Sequence, residues 1–310
     1  MIPSPGDDRR LSIPPSLTGA AMPAATDCYL CLLRQSLEAA RFATDEEALH
    51  RKVLLAGMEK VLHENFQTPP PIIGRAIHRL IKETTGNPDP YHHEKLRFDR
   101  AMLDQVPQLR KRIENASDPL EMAVKLAIAG NSIDFALGQI QESDVHAAFD
   151  QAVERPINGS IDALRRTIES ANTLLFLTDN AGEIVCDRLL IEFLLQRFGN
   201  RITVAVRGEP IINDATMEDA RLIGLTDVVP VITNGNDGLG TFLDECSEEF
   251  LDHFQNSDLV LCKGLANYET LVENKTKWQP KKIAFLFKAK CPFISHFAGT
   301  NLGDLVVRIF

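Results

Sequence analysis

The sequence predicts an α + α/β chain: a helical N-terminal domain followed by a Rossmann-like three-layer domain with a mostly parallel sheet. Two observations predict it. From about Asp27 to Asn172 the apolar residues recur at three- and four-residue spacing. After Thr173 the pattern changes to short apolar runs at 173–178, 201–206, 228–233, 257–262 and 282–288, separated by segments long enough for crossover helices. The expected division is a disordered tail over 1–25, a helical domain over 26–165 and an α/β domain over 166–310.

Taken in order, the Pro-, Ser- and Ala-rich tail has no continuous apolar core and does not read as a secretory signal. Asp27 is a plausible N-cap for a helix bearing Leu30, Leu33, Leu37, Ala40 and Ala43. A second helix is suggested by Leu49, Val53, Leu54, Met58, Val61 and Leu62. Pro69-Pro70-Pro71 breaks the chain, and the next helix, with Ile72, Ile73, Ala76, Ile77, Leu80 and Ile81, stops at Gly86. Asn87-Pro88-Asp89-Pro90 is a turn, and helical patterns resume near Tyr91, Pro119 and Asp144 and over 158–172. Leu305-Val306-Val307-Arg308-Ile309 reads as an added edge strand.

Bulk properties exclude some functions. The 310 residues are 44% hydrophobic and 25% charged, enough for one large or two modest cores. A formal net charge of -10 disfavours nucleic acid as a partner, since phosphate backbones require basic surface. No apolar run approaches the roughly 20 residues that span a bilayer. Six scattered cysteines, Cys28, Cys31, Cys186, Cys246, Cys262 and Cys291, read as reduced thiols of a cytoplasmic protein. Cys28-Tyr29-Leu30-Cys31 has no second pair at zinc spacing, so buried thiols are the simpler reading.

The chemistry concentrates at two strand ends about thirty residues apart, the span of one βαβ unit. The runs 174–177 and 204–206 each precede an Asn/Asp dipeptide, Asp179-Asn180 and Asn213-Asp214. Ligands of open parallel sheets bind beyond the carboxyl ends of strands. Asp179, Asn180 and Asp214 can therefore surround one point, and hard oxygens suit Mg²⁺ or Mn²⁺. Ala181 and Gly182 would let an anion approach backbone N–H groups, with Glu183 in the first helical turn. Capping alone explains either segment, but capping does not require the pair. Lys263-Gly264 with Asn267, and Lys288 and Lys290, end two further strands; their plain reading is solvated surface. There is no Walker A lysine motif, no GxGxxG after a strand and no GxSxG elbow.

Together these segments resemble the damage-control phosphatase family, long catalogued as domain of unknown function eighty-nine, and most closely its stand-alone bacterial and archaeal branch. The residues that carry the resemblance are Cys28-Tyr29-Leu30-Cys31 with Gln35, Asp89-Pro90-Tyr91 with Lys95, Gly130-Asn131 with Asp134, Asp179-Asn180-Ala181-Gly182-Glu183, Asn213-Asp214, Lys263-Gly264 with Asn267-Tyr268-Glu269, and Lys290-Cys291. The resemblance implies a helical part packed on the α/β domain with the site between them. It implies a divalent-metal-dependent phosphatase (Mn, Mg, Co or Ni) acting on small phosphorylated metabolites, with Asp179, Asn180 and Asp214 as metal ligands. Lys263, Gly264 and Asn267 would line the substrate pocket, Lys290 would meet the phosphate, and Asn131 and Asp134 would reach the leaving group. Where the eukaryotic branch has Arg-Thr-x-Lys, this chain has Phe287-Lys288-Ala289-Lys290, so only the lysine carries over.

The expected reaction is phosphomonoester hydrolysis. Asp179, Asp214, Lys290 and Glu183 are its catalytic candidates, with Ala181 and Gly182 N–H groups on the phosphate oxygens. The nucleophile is water or Asp179, and Glu183 is an acid/base or a partner of the helix dipole. Alternatives are an S-adenosylmethionine-dependent carboxyl methyltransferase, against which the single glycine of 179–183 counts, and a non-catalytic phosphometabolite-binding protein.

Overall fold

The structure, a computed structural model, describes residues 24–64, 66–130, 149–278 and 281–310. The expected tail, apart from its last two residues, lies outside them, as do Asn131 and Asp134.

Three helices open the fold: α1 (Thr26–Ala43), α2 (Glu47–Leu62) and α3 (Pro70–Thr85). α3 starts on prolines, which need no donor there, and ends at Gly86 with φ of 70°. The buried stripe of α1 runs through Tyr29, Leu32, Ser36, Ala39 and Ala40, not through the expected Leu30, which is 67% exposed. Small residues decide this: Ser36 lies against Gly57, so α1 and α2 approach closely. Leu32, Ala39, Ala40, Val53, Ile73, Ile77, Ile81 and Tyr91 form one apolar cluster.

α4 (His92–Glu114) and α5 (Pro119–Ala129) follow, the latter capped by Asp118, which accepts the Glu121 N–H at 3.1 Å. The alternating part then runs β1 (Ile157–Asn158), α6 (Ile161–Glu169), β2 (Thr173–Leu177), α7 (Glu183–Phe198), β3 (Arg201–Val206), α8 (Met217–Leu222) and β4 (Val231–Thr233). It continues through α9 (Glu248–Asn256), β5 (Leu259–Lys263), α10 (Leu265–Glu273), α11 (Lys275–Trp278), β6 (Lys282–Lys288), α12 (Pro292–Ala298) and β7 (Leu305–Ile309).

The sheet order is β1-β7-β6-β5-β2-β3-β4, parallel except between β6 and β7. β7 was expected at an edge; it is flanked by the short β1, which pairs Ile157 with Leu305. One sheet face packs Leu174, Phe176, Val204, Leu259 and Leu261 against α4 to α8. The other packs Leu175, Leu177, Val260, Cys262 and Phe285 against α9, α10 and α12. The first of these cores crosses the expected boundary at residue 165, because Met102, Leu109, Leu120 and Val124 share it with the strands. No helix among the described residues is long and apolar enough to cross a membrane.

Candidate active site

From β2 the chain builds outward to β3 and β4, then returns to the other side of β2 as β5. That reversal puts the carboxyl ends of β2 and β5 at the place where open α/β sheets bind ligands. Asp179 follows β2 and Gly264 follows β5. The two meet closely: a Cβ on Gly264 would lie 2.0 Å from Asp179 Oδ2. With φ of 78° and ψ of 167°, Gly264 occupies a region essentially reserved for glycine.

The two Asn/Asp dipeptides are fastened together by their backbones. The Ala181 N–H donates to Asn213 O at 2.8 Å and the Ala215 N–H donates to Asp179 O at 2.8 Å. Asn180 and Asp214 thereby form an isolated antiparallel bridge. This ladder sets Asp179, Asn180 and Asp214 side by side at the sheet's reversal point.

Each of these side chains is held from behind. Asn180 donates both amide protons to carboxylates, Asp179 Oδ2 at 2.9 Å and Glu183 Oε2 at 3.0 Å, which turns its carbonyl oxygen away from them. Glu183 in turn accepts from the fully buried Lys263 ammonium at 2.5 Å. Lys263 also donates to Asp187 Oδ1 and to Ala127 O near the end of α5, each at 2.6 Å. Burial disfavours the lysine's charge, but Asp187 and Glu183 outweigh it and hold the ammonium charged. Burial raises Glu183, and it pushes Asp187 up to about 8.

Asp214 is braced by Arg207, whose Nε donates to Oδ2 at 2.6 Å and whose Nη1 donates to Gly240 O at 2.7 Å. Burial pushes Asp214 up to about 7, against the lowering effect of Arg207. Asn267 lies behind both strand ends. It donates to Thr178 O at 3.0 Å and Lys263 O at 2.8 Å, while its Oδ1 accepts from Thr241 Oγ1 at 2.8 Å.

These contacts correct four of the expected substrate-binding roles. The Ala181 N–H is committed to the ladder, and the Gly182 N–H donates to Asp99 Oδ1 at 2.5 Å, so neither is offered to an anion. Lys263 has all three donors committed within the protein, and Asn267, likewise fully buried, has both amide protons committed. Lys290 is exposed at the end of β6, close enough that its charge is felt at Glu183. Sequence reasoning gave no role to Arg207, Asp187, Asp99 or Asp219, and named Lys95 only among the residues that carry the resemblance. Only Arg207 left a signal, as a cation closing the apolar run of β3.

The donor set fits a divalent cation. Among the described residues no three His, Cys, Asp or Glu side chains converge as a metal site; the set here is two carboxylates and one amide oxygen. Charge argues the same way. Asp179, Asp214 and Glu183 crowd a buried region in which Arg207 and Lys263 are the paired cations. A bound divalent ion would balance the surplus, and the orientation of Asn180 supplies its third oxygen.

Residues 24–306 match the damage-control phosphatase ARMT1-like domain. The chain belongs to that family. A damage-control phosphatase of Archaeoglobus fulgidus is 34% identical over 288 residues, covering 91% of this chain and 97% of that protein. A damage-control phosphatase of Pyrococcus horikoshii is 32% identical over 286 residues, with 90% and 96% covered. The crystal structure of a DUF89 family protein from Pyrococcus horikoshii superposes with a TM-score of 0.79 at 30% identity, covering 92% of this chain and 98% of that one. The family expectation and the α + α/β fold with its mostly parallel sheet are both met.

Proposed function

We propose that this chain is a divalent-metal-dependent phosphatase that hydrolyses small phosphorylated metabolites. One observation carries the reading: the backbone ladder between 179–181 and 213–215 sets three hard oxygen donors at the sheet's reversal point, in a region with surplus negative charge. Family membership, and the phosphatase names of its relatives, support it.

In this reading Asp179, Asn180 and Asp214 hold the cation, with Arg207 and Glu183 fixing their orientation. The ion would act as a Lewis acid on a phosphate oxygen and offset the charge that develops on it. Lys290 supplies an exposed point charge for another phosphate oxygen. Lys263 and Asn267 act from below as braces, not as contacts to substrate. Asp179 either attacks phosphorus itself or orients water. Acid quench with radiolabelled substrate separates these routes, since label on the protein marks attack by the carboxylate.

The test is phosphate release from a panel of sugar phosphates and an aryl phosphate, with and without Mn²⁺, Mg²⁺, Co²⁺ or Ni²⁺. Metal-dependent release by the wild type, lost in Asp214→Ala while the variant stays folded, supports the proposal. No release with any metal, while phosphorylated ligand still binds, replaces it with a binding role.

A further inference from the structure

Asp99 belongs to α4, away in sequence from both ligand-bearing loops, yet it touches the support of each. It is fully buried. Its Oδ1 accepts the Gly182 N–H at 2.5 Å, in the loop that carries Asp179 and Asn180. Its Oδ2 is buried and meets no donor. What lies within hydrogen-bonding reach is the Asp219 carboxylate, from α8, the helix that follows Asp214. Asp219 Oδ2 accepts from the Thr216 N–H and the Thr216 hydroxyl, both at 2.7 Å, closing the capping box that starts α8.

Two buried carboxylates in contact do not both ionise unless cations compensate them. The cation present is Lys95, 3.7 Å from Asp219 and closer, at 2.9 Å, to Asp89. His92 and Glu218 lie beside it, His92 facing both Asp89 and Glu218, and the Lys95 charge is also felt at Asp214. The Phe98 ring packs against Gly182. The orphaned oxygen of Asp99 is explained if it carries a proton.

We propose that Asp99 is a protonated positioning residue, whose Oδ2–H donates to Asp219 and so locks the loop after β2 to the loop after β3. Its activity readout rests on the phosphatase reading; the lock itself does not. Burial first, and the Asp219 charge second, push Asp99 up to about 8, so the lock is closed at neutral pH. Its folded value lies above its unfolded one. The stability it contributes is therefore complete below the ordinary carboxylate range and lost as pH rises through about 8.

The experiment compares wild type, Asp99→Asn and Asp99→Ala by Mn²⁺ calorimetry and phosphate release from about pH 7 to about pH 9.5, and by thermal unfolding from about pH 5 to about pH 9.5. Asn is the isostere of the protonated acid: its oxygen accepts from Gly182 and its amide donates to Asp219. The wild type is expected to lose about tenfold in Mn²⁺ affinity and activity across that range. Asp99→Asn should match it at neutral pH and show a flatter profile, and Asp99→Ala should be weak throughout. An alkaline limb unchanged in Asp99→Asn, or Asp99→Asn as weak as Asp99→Ala at neutral pH, overturns the shared proton. If neither protein binds metal or releases phosphate, the phosphatase reading fails, and unfolding alone decides the lock. A midpoint falling with pH in wild type more than in Asp99→Asn supports it, and parallel falls refute it.

Discussion

Replacing Gly264 by alanine tests the close approach of the β5 end to Asp179. The new Cβ would stand 2.0 Å from Asp179 Oδ2 and 2.1 Å from its Cγ. Real contacts of this kind stay above 3.0 Å, so the carboxylate must retreat by about 1 Å or the β5–α10 turn must open. Metal–oxygen distances tolerate about 0.2 Å, so the Asp179 ligand would be lost. The backbone conformation, φ 78° and ψ 167°, adds a strain of about 1–3 kcal/mol for any side chain. Gly199→Ala is the control, because Gly199 also has positive φ, 68°, but nothing within 4 Å of its Cβ. Mn²⁺ calorimetry and urea unfolding on both variants separate the two effects. Gly199→Ala should lose about 1–2 kcal/mol of stability and keep its metal affinity. Gly264→Ala should lose about 100-fold in affinity beyond its stability loss. Wild-type affinity in Gly264→Ala, or equal losses in both variants, would refute the reasoning.

Arg207→Met leaves Asp214 buried beside Asp179 without its cation and should cost about 3–5 kcal/mol in urea unfolding; a loss below about 1 kcal/mol would show that Asp214 does not depend on Arg207. Lys290→Ala removes an exposed charge, so stability should hold within about 0.5 kcal/mol while kcat/KM falls about tenfold; unchanged kinetics would remove Lys290 from the phosphate site. Asp187, pushed up to about 8 by burial, is expected to be protonated at neutral pH. Asp187→Asn should therefore cost under about 1 kcal/mol near pH 7 and remove the share of stability that the wild type loses as pH rises through about 8; a loss of several kcal/mol at neutral pH would show that Asp187 is ionised beside Lys263.

Much of the sheet was legible because a buried parallel strand reads as a near-continuous apolar run, as 174–177, 259–262 and 283–287 do in β2, β5 and β6, while β3 after Arg201 is broken only by Thr203. β1 was not, since two residues carry no period, and without it β7 reads as an edge. Asp179, Asn180 and Asp214 stood out as polar residues where strands stop. Which way a strand-end side chain faces was recoverable in one case. Leu259 and Leu261 pack toward α4 to α8, and a period of two puts Lys263 on that same face, under the helices. Asp99, Asp187 and Asp219 were illegible. On helices they read as ordinary polar positions, and only the packing of α4, α7 and α8 on the sheet buries them. The same packing carries the core across residue 165, because α4 and α5 complete the core of the sheet they precede.

The central claim is that Asp179, Asn180 and Asp214 hold one divalent cation, and anomalous diffraction from crystals soaked in Mn²⁺ tests it most directly. The account predicts a single strong peak between these three side chains, within about 2.0–2.3 Å of an oxygen from each, and its loss in Asp214→Ala. A peak elsewhere, or none between them when Mn²⁺ supports turnover, would contradict it.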